Sequence, residues 1–148
     1  MKYEVKTAAG SDLETVLALR FEMLGVVNEG AEFDEAFRKR TREYFTNGEQ
    51  TTVLAYCEGE AVGCATICYH TVMPTFSHQT GNRAHIMNVY VENEHRRQGL
   101  ARKMMEALLE EAKSRGATSV TLDATESGKP LYKALGFSGS DEYMELNY

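Results

Sequence analysis

The sequence predicts a single α/β domain in which helices cover both faces of a mixed β-sheet. Its length of 148 residues falls within the range of one domain. Segments rich in β-branched and apolar residues alternate with segments of helical periodicity, which favours layers of sheet and helix. The central part is predicted as strand (Ala84–Val91), helix (Arg97–Arg115) and strand (Ser119–Ala124). The right-handed crossover rule predicts that these two strands run parallel or nearly so.

The first third of the chain predicts a strand followed by two helices. The strand covers Lys2–Ala9. Ser11-Asp12-Leu13-Glu14 has the capping-box pattern, so a helix is expected to begin there and to end near Gly25. Residues 26–32 have no clear period and predict a loop. A second helix is expected over Asp34–Phe45.

A β-hairpin is predicted next, because two β-rich runs, Thr51–Cys57 and Ala61–Val72, flank the turn sequence Glu58-Gly59-Glu60. The other predicted segments are a loop at Met73–Arg83, a short helix at Gly128–Leu135 and a final strand at Tyr143–Asn147. The sequence contains no repeats, linkers or low-complexity segments.

Composition excludes several classes of function. The formal net charge of −6 argues against nucleic-acid binding, which needs a basic face to neutralise phosphates. Cys57, Cys64 and Cys68 form no CxxC pair and have no clustered histidines, so no metal site is expected and the thiols are read as buried and reduced. The N-terminus lacks a signal-peptide core, and no apolar run approaches ~20 residues. We therefore expect no membrane contact and a cytoplasmic location.

The turn between Val91 and Arg102 carries the clearest chemical signal. Gly99 and Ala101 add no bulk at the start of a helix, so a ligand can approach the main chain closely. The unpaired N–H groups there form an anion site, and Arg96, Arg97 and Arg102 add local positive charge. A pyrophosphate suits this site. Neither the dinucleotide fingerprint GxGxxG nor the P-loop pattern GxxxxGK(S/T) is present.

Two motifs resemble the signatures of the GNAT N-acetyltransferases. Arg96-x-x-Gly99-x-Ala101 matches the family's pyrophosphate loop, R/Q-x-x-G-x-G/A, and Val89-x-Val91 before it resembles the family's fourth strand. Downstream, the segment from Leu131 to Phe137 resembles the second signature, Y-x-x-x-G-F. The family's usual proline and aromatic in the first stretch are here Asn93 and His95. The resemblance implies one GNAT domain over residues 1–148, with a mostly antiparallel mixed sheet and a β-α-β cofactor-binding core.

The same resemblance implies that acetyl-CoA is the cofactor. Its pantetheine arm would lie in a splay between the two central strands and bond to the main chain of Val89 and Val91. Arg96 would fix the loop or screen charge. The family's asparagine after the next strand is missing, so Ser127 or Thr125 substitutes or the contact is lost; Ser127 is equally a candidate N-cap. The residues whose amides would take the pyrophosphate are Arg97, Gln98, Gly99, Leu100, Ala101 and Arg102.

The implied reaction is attack of a neutral amine on the thioester, with departure of a thiolate. Tyr132 in the second signature is the expected general acid, because a phenol with a pKa of about 10 is uncharged at neutral pH and suits protonation of an alkyl thiolate. The alternative is a tyrosine that only packs its ring on the sheet. Main-chain N–H near Val89 would stabilise the oxyanion.

The sequence does not single out one general base. An amine with a pKa near 10 arrives protonated and must lose a proton. Several side chains on the motif strand or near the first helix could take it through water or contact the acceptor. They are Glu22, Glu29, Glu32, His85 and Asn88, with His70 and His78 as weaker candidates.

The acceptor is expected to be a small cationic amine, because the loop Asn28–Asp34 is acidic. A polyamine, an aminoglycoside-like sugar and a lysine side chain of a peptide or protein are all compatible with that charge. Two other readings remain: a non-catalytic acyl-CoA sensor, and an acyltransferase for longer acyl chains. Alternating apolar residues between Tyr143 and Tyr148 permit a homodimer.

Overall fold

A five-stranded sheet in the order β1-β2-β3-β4-β5 forms the centre of the computed structural model, which describes residues 1–148. The strands are β1 (Tyr3–Thr7), β2 (Gln50–Cys57), β3 (Glu60–Thr71), β4 (Asn82–Val91) and β5 (Ser119–Leu122). The helices are α1 (Leu13–Val27), α2 (Glu35–Asn47), α3 (Leu100–Ser114) and α4 (Lys129–Ala134).

The first four strands pair antiparallel in chain order, and β5 then pairs parallel with β4. Helix α3 provides the crossover between these two parallel strands. The predicted fold class, a mixed and mostly antiparallel sheet with a β-α-β core, is confirmed. The β2–β3 hairpin also forms as expected, and Glu58 (φ 49°) and Gly59 (φ 85°) adopt the two left-handed conformations that a tight hairpin turn requires.

The two faces of the sheet are covered by different helices. A core cluster that contains Ala84, Ile86 and Val91 of β4 packs against Leu100, Met104, Met105 and Leu108 of α3. A smaller cluster joins Val16 and Leu19 of α1 to Leu54 and Cys64 on the other face. Because side chains alternate across a strand, His85 and Met87 of β4 face the α1 side. The sheet therefore separates an α3 face from an α1 face.

The chain end differs from the prediction of a strand at Tyr143–Asn147. No helix or strand follows α4, and Tyr143 and Leu146 are 71% and 76% exposed. The apolar alternation of this segment is typical of a strand, but a strand also needs a hydrogen-bonded neighbour. No strand of the same chain pairs with this segment. The prediction is wrong for the single chain.

The start of α1 also differs. Ser11 and Glu14 form no capping box; instead the Asp12 carboxylate accepts a hydrogen bond from the Ala9 N–H at 2.8 Å, within a single turn of 3₁₀ helix. Glu14 pairs with Arg42 of α2 at 2.6 Å. The short 3₁₀ turn moves the first α-helical residue to Leu13.

None of the helices is both long and apolar enough to cross a membrane. No group of three or more His, Cys, Asp or Glu side chains is arranged to hold a metal ion.

Candidate active site

The pairing of the two parallel strands, at the β5 edge of the sheet, ends partway along β4. Their last paired residues are Ile86 of β4 and Leu122 of β5, whereas β4 continues to Val91. Beyond Ile86, the side of β4 that faced β5 therefore has no strand partner. This leaves an opening beside β4 past the end of β5, called the cleft below, which includes Val89 and Val91, where the family resemblance implies that the pantetheine arm binds.

A β-bulge lies at the mouth of this cleft. The register between β3 and β4 shifts between Cys64 and Thr66, and Asn88 opposite them adopts a left-handed conformation with φ 62°. Asparagine tolerates this conformation better than most residues. Because a bulge bends a strand and re-aims its backbone, the main chain on either side of Val89 departs from the ladder.

Asn88 is buried, and both ends of its side-chain amide are hydrogen-bonded. Its Oδ1 accepts a hydrogen bond from Arg20 Nη1 of α1 at 3.3 Å, and its Nδ2 donates to Thr66 Oγ1 at 3.2 Å. Thr66 in turn shares a 2.8 Å hydrogen bond with the hydroxyl of Thr52. This buried polar chain fixes the bulge, so the structure gives Asn88 a scaffolding role, while its predicted acceptor contact stays a prediction.

After β4, the chain folds into a short 3₁₀ turn (Asn93–His95) and a loop before α3. Arg96 turns back toward the sheet, where its Nε donates to the Val91 carbonyl at 2.9 Å. Arg97 (φ 63°) and Gly99 (φ 76°) both adopt left-handed conformations. Helix α3 therefore begins at Leu100 and not at Arg97 as predicted, because two left-handed residues interrupt the helical path.

This loop exposes a run of unpartnered backbone donors. The N–H groups from Arg97 to Arg102 donate no hydrogen bond within the chain, and the first helical bond is made by Lys103 to the Gly99 carbonyl. Such donors, together with the positive end of the helix dipole, form an anion site. A Cβ placed on Gly99 would meet no atom within 4 Å, so open space lies above this residue. The segment offers free backbone donors and open space, the features of an anion site.

The arginine side chains of the loop differ in whether they form ion pairs. Arg97 and Gln98 are exposed and form no ion pair or side-chain hydrogen bond, whereas Arg102 Nε pairs with Glu106 Oε1 at 2.8 Å. The positive charge available to a ligand therefore comes from the helix start and from Arg96 and Arg97, which form no ion pair, with a partly neutralised contribution from Arg102.

Tyr132 lies on α4 and packs against the core on the α3 face, the same core that Val89 contacts. Its ring meets the Phe137 ring edge-on with centroids 6.2 Å apart. Burial raises the pKa of the Tyr132 phenol above its usual value, and its hydroxyl forms no hydrogen bond within the chain. A half-buried, neutral and unpartnered phenol is thus available to donate a proton.

Gly128 allows this placement. A Cβ on Gly128 would lie 2.8 Å from Cε2 of the Tyr132 ring, closer than real side chains approach. The candidate N-cap Ser127 does not cap α4; Gly128 holds that position, and its N–H donates to Thr125 Oγ1 at 3.2 Å. Ser127 Oγ instead lies 3.3 Å from the Thr125 hydroxyl. Its predicted cofactor contact stays a prediction.

His85 lies on the α1 face, one residue before the last β4–β5 pair. Its Nδ1 is 2.7 Å from Thr121 Oγ1 of β5, and its Nε2 is 3.7 Å from Asp123 Oδ2 at the end of that strand. The structure therefore brings this predicted residue to the point where the cleft opens.

The predicted carboxylates are divided between two places. Glu22 of α1 lies near Tyr90 and Glu92 at the far end of β4; burial and a hydrogen bond with Glu22 raise the pKa of Tyr90 to about 12 and that of the Glu92 carboxyl above its usual range. Glu29 and Glu32, in the loop between α1 and α2, are exposed and form no ion pair.

Sequence reasoning missed Arg20, Thr121, Asp123 and Gly128. Two of them had a detectable signal. Arg20 is the one basic residue within the apolar sequence of α1, and Asp123 is a carboxylate near the end of the segment Ser119–Ala124 that the sequence predicts as a strand. The other two are defined by partners distant in the chain, so no local pattern marks them.

Comparison with known proteins agrees with this geometry. Residues 14–137 match the sequence profile of the acetyltransferase (GNAT) family. A glucosamine 6-phosphate N-acetyltransferase of Trypanosoma brucei brucei is 31% identical over 142 residues, which cover 90% of each chain. A second protein with that activity, from Arabidopsis thaliana, is 27% identical over 124 residues and 83% of each chain.

Solved structures show the same fold. The crystal structure of a predicted acetyltransferase from Clostridium acetobutylicum with acetyl-CoA superposes with a TM-score of 0.86 at 29% identity, covering 99% of this chain and 96% of that one. The similarity therefore includes the whole α/β architecture.

Proposed function

The chain belongs to the GNAT family of acetyltransferases and is an acetyl-CoA-dependent N-acetyltransferase, and from this premise we propose how its own residues act and which amine it takes. The observation that carries the proposal is the run of unpartnered amides at Arg97–Arg102 beside the cleft between β4 and β5. These amides hold the diphosphate of the substrate acetyl-CoA. The pantetheine arm then follows β4 past Val91 and Val89, which brings the thioester to the bulge.

We assign the protonation of the leaving sulfur to Tyr132. When the amine nitrogen bonds to the carbonyl carbon, negative charge develops on the carbonyl oxygen and the carbon–sulfur bond then breaks. Backbone N–H near Val89, re-aimed by the bulge, stabilises the oxyanion. The Tyr132 phenol, kept neutral by burial, gives its proton to the departing thiolate.

The acceptor that the site supports best is an amino sugar that carries an anionic group. The relatives from T. brucei and A. thaliana bear the name glucosamine 6-phosphate N-acetyltransferase. On the α1 face, Arg20 is half-buried and forms no ion pair, and burial lowers the pKa of its guanidinium. A phosphate on the acceptor would supply the missing counter-charge. The acidic loop around Glu29 and Glu32 attracts the ammonium end.

A panel of amines tests this assignment. Release of coenzyme A thiol is measured with glucosamine 6-phosphate, glucosamine, an aminoglycoside, spermidine and a lysine peptide. We expect glucosamine 6-phosphate to have a kcat/KM at least tenfold above that of glucosamine, which corresponds to about 1.4 kcal/mol for the phosphate contact. Preference for spermidine or the peptide would contradict the acceptor class. Binding of coenzyme A without turnover of any amine would favour the acyl-CoA sensor.

We also propose that the protein acts as a homodimer. Tyr143, Met144 and Leu146 are 71%, 91% and 76% exposed, and β5 has β4 on one side only. An apolar segment and an unpaired strand edge in one chain suit a second copy, whose segment 138–148 would cover that edge. Light scattering should give twice the chain mass for the full protein and the single mass for a chain that ends at Ser138. A monomeric full-length protein would contradict the proposal.

The three cysteines form no disulfide in the structure. Free thiols suit a reducing compartment, and we propose a cytoplasmic location.

A further inference from the structure

His85 occupies a distinctive position in the cleft. It pairs with Thr121 one step before Ile86 and Leu122, the last β4–β5 pair, so it lies where the two strands begin to separate. Its side chain faces the α1 side and is 30% exposed. A group at this place faces the acceptor side of the sheet, two residues before Met87 and close to the bulge at which the proposed function places the thioester.

Thr121 lies against one of the two ring nitrogens of His85. Its Oγ1 is 2.7 Å from His85 Nδ1 and 3.5 Å from the Ala84 carbonyl, which is an acceptor for the single hydroxyl hydrogen. With that hydrogen directed to the carbonyl, Oγ1 accepts the hydrogen bond that Nδ1–H donates. In the neutral ring, Nε2 is then left with a free lone pair. Thr121 thus prepares His85 to accept a proton at Nε2.

Asp123 supplies a charge for the protonated state. Its Oδ2 lies 3.7 Å from His85 Nε2, too long for a direct hydrogen bond but close enough for electrostatic stabilisation of an imidazolium. Its side chain is 93% exposed, so the carboxylate can adjust its position as an acceptor enters. The pair joins the end of β5 to the middle of β4 across the beginning of the cleft.

We infer that His85 is the general base of the acetyl transfer, with Thr121 and Asp123 as positioning residues. This inference rests on the proposed function. The acceptor ammonium gives one proton to His85 Nε2, and the free amine then bonds to the thioester carbon as the carbon–sulfur bond breaks. Tyr132 protonates the sulfur. The second nitrogen proton returns to the Tyr132 oxygen through solvent, and the proton on His85 leaves to solvent, so one proton is released per acetyl group transferred.

The position of His85 favours it as the base over the carboxylates at the other end of β4. Asp123, with its carboxylate within 4 Å of the ring, opposes the positive charge of Arg83, which lies two residues before His85 on the same face; Cys68 of β3 is the register partner. Glu22, a predicted candidate, lies with Glu92 at the opposite end of β4 beside the cofactor loop. Acceptor entering from the α1 face reaches His85 at the vertex of the cleft, whereas Glu92 lies past the strand end.

A pH–rate comparison tests the inference. His85→Gln should lower kcat/KM for the amine about 100-fold at pH 7. Without a base, only the free-amine fraction of the acceptor reacts. The kcat/KM of the variant should therefore rise tenfold per pH unit until the pH reaches the pKa of the amine, whereas the kcat/KM of the wild type should depend less steeply on pH. Asp123→Asn should give a smaller loss, and Asp141→Asn, which changes an exposed carboxylate near the chain end, should leave the profile unchanged. The assignment would be overturned if Glu92→Gln, and not His85→Gln, produced the steep pH profile.

Two further readouts keep the test independent of the rest of the account. Coenzyme A should bind His85→Gln as tightly as wild type, which separates loss of the base from loss of fold. Long-range proton–nitrogen NMR spectra should show the neutral His85 ring protonated at Nδ1, and Thr121→Val should remove that preference. A neutral His85 ring protonated at Nε2 in the wild type would contradict the inference, even if no amine were acetylated. The absence of activity with every amine of the panel, by itself, would count against the proposed function.

Discussion

Tyr132→Phe should lower kcat by about 100- to 10,000-fold, the range over which a positioned acid or base contributes to catalysis. The substitution removes only the hydroxyl, which forms no hydrogen bond in the protein, so the packing of the ring against the core and Phe137 is retained. Binding of coenzyme A and the free energy of unfolding should therefore be close to those of wild type. Thiol release under saturating acetyl-CoA and amine measures the effect.

The pH dependence of kcat gives a second test of the phenol. A general acid works only while it is protonated, so activity is lost as the pH rises through its pKa. Burial raises the pKa of Tyr132 above its usual value of 10.0, which moves this loss to higher pH. Tyr132→Phe should lack that basic limb altogether. The matched control is Tyr143→Phe on the exposed chain end, which should change neither kcat nor its pH profile. Wild-type kcat in Tyr132→Phe would rule out the acid role.

Reversal of two charges at the cofactor loop should have the second large effect. Arg97→Glu together with Arg102→Glu places carboxylates beside the amide donors of the loop and leaves those donors in place. Repulsion of the diphosphate should raise the Kd for coenzyme A by about 10- to 100-fold, or about 1.4 to 2.8 kcal/mol. The loss should shrink as salt is added, because exposed charges are screened. Calorimetric titration at low and high ionic strength measures both.

The control must change the net charge equally without touching the loop. Arg40→Glu with Lys113→Glu does this, since both side chains are exposed and lie on α2 and at the end of α3. We expect its Kd to stay within about twofold of wild type, because charges beyond a Debye length of roughly 10 Å are screened. An equal loss in both double variants would mean that the overall charge, and not the loop, governs binding.

The central strand, loop and helix were predictable from sequence because their signals are local. Apolar periodicity defines α3, and the glycine and arginines before it lie within a few residues of one another. The exact start of the helix was not predictable, since Arg97 adopts a left-handed conformation without being a glycine. That conformation extends the run of free amides to Leu100, Ala101 and Arg102, whose N–H groups would bond to carbonyls four residues earlier if the helix began at Arg97.

The bulge and the base depend on contacts between distant parts of the chain. Asn88 is held by Arg20, which is 68 residues away, and His85 is held by Thr121, which is 36 residues away. Neither pairing has a sequence pattern that a single chain reveals. The final strand failed for the related reason that a strand needs a partner edge, which apolar alternation at Tyr143–Asn147 does not supply.

Binding of a diphosphate by the loop is tested most directly by calorimetric titration of the wild-type protein with coenzyme A and, separately, with pantetheine. Pantetheine has the thiol arm of coenzyme A but no diphosphate. The amide run at Arg97–Arg102 predicts measurable binding of coenzyme A and an affinity at least 100-fold weaker for pantetheine. Equal affinity for the two compounds, or no heat with coenzyme A, would contradict it.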